Sequence, residues 1–247
     1  MFNNKQMNTE TFKFLDPFNT IIRTPQWYLL PKIHKVPPTS TKFAGRPIIS
    51  GCSSPTHNIS EYIDYFIKPI VQNQETYIKD TTDFINKLST LHVPENAFLV
   101  TLDVVSMYTN TPQAEAIKAV TEALDSESAI HYNYKINKPS TQYIKDLLTL
   151  ILQHNSFEFC GNFFKQICGV SMGSPASPEI ADITFHNLER RIIELHQSKI
   201  HFWKRFRDDV FMVYTGTEKE LWDFTTNINE LHQTFKFSYE YSPQSIT

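Results

Sequence analysis

Residues 202–214, FWKRFRDDVFMVY, place two adjacent acidic residues between two apolar runs. Residues 202–206 and 210–214 are rich in aromatic and β-branched side chains, which favours two strands, and the polar RDD between them predicts the turn of a hairpin. Neighbouring carboxylates repel each other, and solvent, a protein cation or a metal ion makes such a pair tolerable. Alone, Asp208 and Asp209 favour a solvated turn, and only a second acidic position would indicate a metal site.

Asp103 supplies that second position, inside the apolar run AFLVTLDVV at residues 97–105. The run predicts a buried strand, where a carboxylate without a partner would be costly. If this strand lies beside the hairpin in one sheet, Asp103 and Asp208 converge. Converged carboxylates bind Mg²⁺, and two ions roughly 3.5 to 4 Å apart can hold the attacking and leaving oxygens of a phosphoryl transfer. These acids are therefore candidates for a metal-assisted phosphoryl-transfer site.

The remaining patterns predict an α+β layer arrangement with an antiparallel sheet. Residues 156–167 predict two strands around a Gly161–Asn162 turn, and residues 235–241 predict a last alternating strand. One helix should be disturbed near Pro69, one should begin with Thr111 as cap and Pro112 at its first position, and one should carry a capping box of Thr217 and Glu220. The predicted helices cover residues 60–72, 81–91, 113–124, 140–154 and 218–232, with a long helix after the loop that begins at Cys168.

Composition limits the class of protein. The 247 residues are 40% hydrophobic and 20% charged, enough for one large domain or two small ones. The start MFNNKQMNTE resembles no signal peptide and no run of about 18 apolar residues occurs, so we expect an intracellular protein without a membrane partner. Cys52, Cys160 and Cys168 have no CxxC spacing, which argues against a disulfide scaffold and a zinc site.

The net charge of −3 is unevenly distributed. Residues 1–50 carry seven Lys or Arg against two acidic residues, whereas the remainder carries 16 against 24. A basic segment next to an acidic body is consistent with a phosphate-binding element beside a metal-binding one. A solvated, flexible basic arm explains the charge equally well.

Five ordered motifs resemble the fingers and palm of reverse transcriptases. They are LPKIHK, GRPIIS, LDVVSMY, MGSPASPEIAD and FRDD. LPKIHK, RPIISGCSSPTHNISEYID, YIKDTTDFINKL and LDVVSMYTN are similar, more narrowly, to the Penelope-like retroelements. The resemblance covers residues 27 to 241, and it implies a right-hand polymerase fold with an antiparallel palm sheet packed on helices. Residues 1–95 would be a fingers-like region and residues 96–247 a palm-like catalytic region.

The resemblance also assigns residues. Asp103 and Asp208 match the metal-binding aspartates, and Asp209 matches the second acid of the hairpin, whose role is closer to support. Arg46 matches the arginine that contacts the incoming triphosphate, and a guanidinium suits phosphate through its bidentate fork. Tyr108 matches the residue under the sugar of the incoming nucleotide.

Other assignments have plain structural alternatives. Lys32 and Lys35 match template or phosphate contacts or are solvated charges, and Gly173 matches the loop under the template and new base pair or is a helix-entry turn. Lys236 matches the lysine that protonates pyrophosphate or is an edge-strand lysine. Arg46 could form a structural ion pair, and Tyr108 could simply pack at the start of a helix.

The sequence departs from the family pattern in the hairpin, where Phe206 replaces the usual Tyr and Arg207 replaces a small or β-branched residue. Arg207 could form a salt bridge with one carboxylate and compete with Mg²⁺. Met172 stands where many reverse transcriptases have Gln. The sequence ends shortly after FSYEYSPQ, so neither a thumb nor the GIY-YIG endonuclease of many family members is expected within these residues.

The resemblance therefore implies an RNA-directed DNA polymerase of a retrotransposable element that uses two Mg²⁺ ions, an RNA template, a DNA primer and deoxynucleotide triphosphates, located in the nucleus. Two alternatives stay open: a catalytically decayed or domesticated RNA-binding protein, and an RNA-dependent RNA polymerase. The sequence does not indicate the host, the template or the oligomeric state.

Overall fold

The computed structural model describes residues 7–17, 21–32, 45–126 and 134–243. The helices in these ranges are α1 Thr9–Leu15, α2 His57–Gln72, α3 Thr81–Ser89, α4 Met107–Asn110, α5 Gln113–Asp125, α6 Thr141–Gln153, α7 Ser177–Leu195 and α8 Glu218–Glu230. The strands are β1 Gln26–Pro31, β2 Gly45–Ser50, β3 Ala97–Val104, β4 Ser156–Phe159, β5 Asn162–Lys165, β6 Ile200–Phe206, β7 Asp209–Thr215 and β8 Phe237–Ser242.

The strands form two sheets, which we call the first and second sheets. The first sheet has the order β2-β1-β4-β5, and the second has the order β6-β7-β3-β8. All neighbours in the second sheet are antiparallel, as predicted, whereas β1 and β4 of the first sheet pair in parallel at Gln26 and Glu158. The mixed α/β arrangement thus agrees with the predicted α+β class.

The main core lies between one face of the second sheet and the helices. Alternate residues of β3, namely Val100, Leu102 and Val104, are buried, because successive strand side chains point to opposite faces. Their partners in the core come from α2, α5, α6 and α7. No described helix combines the length and hydrophobicity that a membrane crossing requires.

Several local predictions need correction. The β4–β5 turn lies at Cys160–Gly161, one residue earlier than predicted, because Phe159 pairs with Asn162. Cys160 and Gly161 have φ values of 51° and 76°, the left-handed pair that matches strand twist in a two-residue hairpin.

Helix α5 begins at Gln113, so Pro112 occupies the cap position itself and not the first helical turn. The Thr111 hydroxyl donates to the carbonyl of Met107 at 2.8 Å, and therefore does not cap α5. Helix α2 continues through Pro69 to Gln72. The capping box of Thr217 and Glu220 is confirmed.

The first sheet draws strands from both sides of the predicted boundary between residues 95 and 96, because β1 and β2 precede it and β4 and β5 follow it. The division into residues 1–95 and 96–247 stays a prediction.

Candidate active site

The three candidate acids meet at one end of the second sheet. Asp103, near the end of β3, is the register partner of Asp209 at the start of β7. The amide of Val104 donates to the carbonyl of Asp208 at 2.9 Å, which joins the hairpin turn to β3. Leu102 is buried in the core, so Asp103 lies on the opposite face of the sheet from the core helices α2, α5, α6 and α7.

The hairpin turn is shorter than the predicted RDD. Phe206 pairs with Asp209, so the turn consists of Arg207 and Asp208 alone, and Asp209 belongs to β7. Asp103 and Asp208 are half-buried, whereas Asp209 is exposed. Asp103 is therefore neither a deeply buried charge nor an ordinary surface residue.

One cleft of about 640 Å³ lies over these acids. Seven predicted site residues line it: Lys32, Arg46, Asp103, Tyr108, Gly173, Asp208 and Asp209. Lys35 lies outside the described residues. Residues from both sheets and from the loop before α7 thus face one space.

The first sheet supplies the cationic side of the cleft. Arg46 on β2 is exposed and pairs in register with Leu30 of β1, and Lys32 follows directly after β1. A cleft with cations on one side and carboxylates on the other can hold a polyphosphate together with a divalent cation.

Gly173 joins the first sheet to the loop before α7. Its φ is +127°, and an added Cβ would lie 2.4 Å from the carbonyl oxygen of Ile49 on β2. The amide of Ile49 donates to the carbonyl of Met172 at 2.9 Å. Glycine is required here because two protein backbones approach closely. Its predicted place under a template base pair stays a prediction.

Tyr108 lies on the short helix α4, half-buried beside the same cleft. Burial raises the pKa of its hydroxyl, the positive charge of Arg207 opposes this effect, and the charges of Asp182 and Asp208 reinforce it. The Tyr108 carbonyl accepts a hydrogen bond of 2.8 Å from the amide of Val170, which ties α4 to the loop that contains Gly173.

Arg207 has different partners from those the sequence suggested. Its ion pairs are with Asp182 and Glu179 on α7, at 2.5 Å and 3.1 Å, beneath the hairpin. The sequence allowed a salt bridge between Arg207 and Asp208 or Asp209, but the guanidinium binds the two acids of α7 instead.

A buried ionic network that the sequence reasoning missed continues from this contact. Arg205 on β6 is 3% exposed and pairs with Asp182 at 2.6 Å and with Glu189 at 2.9 Å. Its Nη1 also donates to the carbonyl of Arg207 at 3.0 Å. The alternation of side chains along a strand could have indicated this network. Trp203 is buried, and Arg205, two residues later, therefore lies on the same core face of β6.

The network shifts the pKa values of its members. Burial alone raises the pKa of Glu189, but the charge of Arg205 and hydrogen bonds from His186 and Arg205 outweigh it and hold the pKa at about 2. Burial lowers the pKa of Arg205, and the charges of Glu189 and Asp182 more than reverse that effect. Both groups are therefore charged at neutral pH.

Lys236 is engaged by the end of α8. Its Nζ donates to the carbonyls of Asn229 at 2.5 Å and His232 at 2.8 Å. This geometry favours the structural interpretation of Lys236, because lysines stabilise helix C-termini through such bonds.

A second cavity of about 730 Å³ extends along the same face of the second sheet. It shares Asp103, Phe206 and Asp209 with the cleft, and Phe84 of α3 and Phe211 of β7 form part of its apolar lining. The acids therefore lie between two adjoining spaces.

The residues present fit a magnesium site in part. Among the described residues, no group of three or more His, Cys, Asp or Glu side chains is arranged to hold a metal ion. Mg²⁺, however, is usually bound by one or two carboxylates, with waters and substrate phosphates completing its shell. Asp103 and Asp208 provide that number of carboxylates on one cleft.

Comparison with known proteins adds the fold. No protein-family model and no curated protein matches the sequence. Solved structures do match. A telomerase from Candida albicans in complex with a telomeric RNA fragment has a TM-score of 0.60 at 13% identity, over 97% of this chain and 45% of that one.

Two further structures are similar. An apo telomerase from Candida tropicalis has a TM-score of 0.58 at 12% identity, over 90% of this chain and 51% of that one. The BmCPV RNA-dependent RNA polymerase at its elongation state has a TM-score of 0.62 at 15% identity, over 100% of this chain and 22% of that one. This chain thus spans about half or less of each structure's length, and it has a reverse transcriptase-like polymerase fold.

Proposed function

We propose that the protein is a nucleotidyltransferase that extends a DNA primer on an RNA template, as a reverse transcriptase of the Penelope-like kind. The observation that carries the proposal is the cleft that seven of the described candidate residues line together, all except Lys236. Carboxylates on two neighbouring strands face Arg46 and Lys32 from the other sheet within a polymerase-like fold. The telomerase neighbour solved with telomeric RNA supports a nucleic-acid partner.

In this proposal each residue has one task. Asp103 and Asp208 would hold Mg²⁺, which would lower the charge repulsion around the reacting phosphate. Arg46 binds the triphosphate of a deoxynucleotide through its fork, with Lys32 as a second cation. Asp209 supports the turn. The primer 3′-hydroxyl releases its proton to water as its oxygen bonds to the α-phosphorus, the bond from that phosphorus to the oxygen that bridges to the β-phosphorus breaks, and pyrophosphate leaves.

In this proposal the incoming nucleotide would bind in the cleft over the acids, and the end of the primer would bind in the adjoining cavity of about 730 Å³. Within this assignment, the fingers would include residues 156–165 in addition to residues 1–95, because β4 and β5 belong to the first sheet. The palm would comprise the rest of residues 96–247.

The direct test is primer extension with Mg²⁺ by this chain, and by the product of the whole reading frame that contains it. Asp103→Ala and Asp208→Ala should each reduce incorporation by about 10³-fold or more without lowering the melting temperature, because each removes a metal ligand and no core volume. Asp209→Asn should be milder. Asp223→Asn, an exposed acid on α8, is the matched control. Equal incorporation by Asp103→Ala and Asp223→Asn would contradict the proposal.

An RNA-dependent RNA polymerase is the second candidate, because the BmCPV enzyme matches 100% of this chain. The side chain of Tyr108 distinguishes a reverse transcriptase from an RNA polymerase. A bulky side chain under the sugar leaves no room for a 2′-hydroxyl, whereas recognition of that hydroxyl requires a polar partner. We expect deoxynucleotides to be preferred, and Tyr108→Ala or Tyr108→Val to admit ribonucleotides. A wild-type chain that uses both sugars equally, or a ratio unchanged by substitution, would favour the RNA polymerase.

The third candidate is a catalytically decayed protein that binds RNA, and the partners of Arg207 argue against it. That interpretation relied on a salt bridge that Arg207 could form with a carboxylate of the hairpin in competition with Mg²⁺, whereas the guanidinium is bound by Asp182 and Glu179. A chain that binds RNA but gives no incorporation in either form would restore this alternative.

A further inference from the structure

Arg207 has a backbone conformation that arginine seldom adopts. Its φ is 57°, in the left-handed region, at the first position of the two-residue turn that carries Asp208. This region is unusual for residues other than Gly, Asn and Asp, and such strain persists only where the surroundings hold it.

The Arg207 side chain is held by the helix beneath the hairpin. Nη1 donates to Oδ2 of Asp182 at 2.5 Å, and Nη2 donates to Oε1 of Glu179 at 3.1 Å. The side chains of Asp182 and Glu179 are 2% and 4% exposed, and that of Arg207 is 31% exposed. Hydrogen bonds between ionised groups at a largely buried site are among the stronger ones in proteins.

The Arg207 backbone is held from the same helix by a second route. The other oxygen of Asp182, Oδ1, accepts from Nη1 of Arg205 at 2.6 Å, and that same nitrogen donates to the Arg207 carbonyl at 3.0 Å. Asp182 therefore connects to Arg207 twice, once directly and once through Arg205.

These bonds bear on Asp208 because it is the next residue and its own carbonyl is fixed to β3 by the amide of Val104. The turn is thus fixed to α7 on one side and to the strand of Asp103 on the other. We propose that Arg207, held by Asp182 and Glu179, is a positioning residue that fixes the conformation in which Asp208 faces the cleft beside Asp103. This inference rests on the proposed role of Asp208 as a metal ligand.

The positioning role is tested with Arg207→Asn and Arg207→Lys. Asn tolerates a left-handed backbone but removes both bonds to α7, whereas Lys keeps the charge and loses the fork. Arg190→Asn is the matched control, because Arg190 lies on the surface of α7 in an exposed pair with Glu194. The readouts are Mn²⁺ affinity, measured with the metal alone by the paramagnetic resonance of free Mn²⁺, the melting temperature, and a crystal structure of Arg207→Asn.

Loss of a residue that orients a metal ligand typically weakens metal affinity about 10- to 100-fold. We expect Arg207→Asn to weaken Mn²⁺ binding by about tenfold or more, Arg207→Lys to recover part of that loss, and Arg190→Asn to match the wild type. Because Asn itself tolerates the left-handed φ, the expected change in the crystal structure of Arg207→Asn is a displaced Asp208 carboxylate and not a new φ at residue 207.

Two failures can be told apart. If Asp208→Asn weakens Mn²⁺ binding but Arg207→Asn only lowers the melting temperature, the positioning role is wrong and the proposed function stands. If neither Asp103→Asn nor Asp208→Asn changes Mn²⁺ binding, the metal site of the proposed function is wrong. The crystal structure of Arg207→Asn then decides whether Arg207 fixes the position of Asp208. An Asp208 carboxylate that keeps its position beside Asp103 in Arg207→Asn overturns the positioning role whatever the metal result.

Discussion

The two sheets both face the candidate cleft but are held in different ways. The second sheet buries one face against helices and fixes its hairpin to α7 through Arg205 and Asp182. In the first sheet β5 is exposed along its whole length, and β1 meets β4 at a single register pair. Its connection to the loop before α7 is the close backbone approach at Gly173. The acids therefore lie on the side of the cleft that is anchored by buried contacts, and the cations lie on the side with fewer of them.

Removal of Arg205 should have the largest effect on stability. Arg205→Met leaves Glu189 and Asp182 buried without their shared partner, and breaking a buried ion pair from one side costs about 3–5 kcal/mol. Arg190→Met, which breaks the exposed pair with Glu194, should cost at most about 1 kcal/mol. Urea denaturation measures both. Similar losses in the two variants would show that the second sheet does not depend on its buried network.

The dependence of stability on pH should test the same ionic network. The pKa of Glu189 is held at about 2, below its ordinary value of 4.5. A depressed pKa contributes stability that is present above pH 4.5 and is lost as the pH falls toward 2. The free energy of unfolding of Glu189→Gln should therefore lie on the order of 3 kcal/mol below wild type at neutral pH, and this difference should narrow between pH 4.5 and about 2.

Glu194→Gln, an exposed acid on the same helix, is the control for this pH experiment. A difference between Glu189→Gln and wild type that stays constant down to pH 2 would contradict the assignment.

A test of the junction between the sheets should give a smaller effect. Gly173→Ala places a Cβ 2.4 Å from the Ile49 carbonyl, so β2 must shift, whereas Gly161→Ala meets no atom within 4 Å although its φ is +76°. Gly161→Ala should cost about 1 kcal/mol for the left-handed backbone alone, and Gly173→Ala about 1–3 kcal/mol more. Calorimetry measures the difference. A loss for Gly173→Ala that exceeds the loss for Arg205→Met would remove the contrast between the sheets.

The smallest effect should come from the exposed strand of the first sheet. Phe163 on β5 is 72% exposed, so Phe163→Thr should change the free energy of unfolding by no more than about 0.5 kcal/mol. Met212 on β7 is 0% exposed, and Met212→Ala should cost about 2–5 kcal/mol. A loss above about 1.5 kcal/mol for Phe163→Thr would mean that β5 packs against another part of the protein. The two sheets would then not differ in burial.

The individual strands of the second sheet could be predicted from sequence because their signals are local: period-two burial around Leu102 and Val210 indicates β3 and β7, and the polar turn indicates the hairpin. The pairing of β3 with β7 joins residues more than 100 positions apart, and it entered the sequence analysis as a condition that the structure then met. The β4–β5 turn was predicted at Gly161–Asn162 and lies one residue earlier, and the cap of α5 was predicted at Thr111 and is Pro112. Each prediction was wrong by one residue, because neighbouring residues at the end of a helix or strand can serve as its last residue about equally well.

The first sheet and the ionic network could not be predicted in the same way. β1 and β4 are more than 100 residues apart and share one register pair, so no periodic pattern records their contact. Arg207 is a long side chain that could reach either the cleft or α7, and only the buried acids Asp182 and Glu179 decide its direction. Side-chain networks between distant segments leave no spacing rule in a single sequence.

The most direct measurement is a crystal structure of the protein with Mn²⁺, located by its anomalous scattering. We predict a metal within coordination distance of carboxylate oxygens of both Asp103 and Asp208, on the side of the cleft that faces Arg46. Asp208→Asn should lose that signal with its fold unchanged. A structure in which the Asp103 and Asp208 carboxylates point to opposite faces of the second sheet, or in which Mn²⁺ binds elsewhere, would show that these two residues do not share a metal ion.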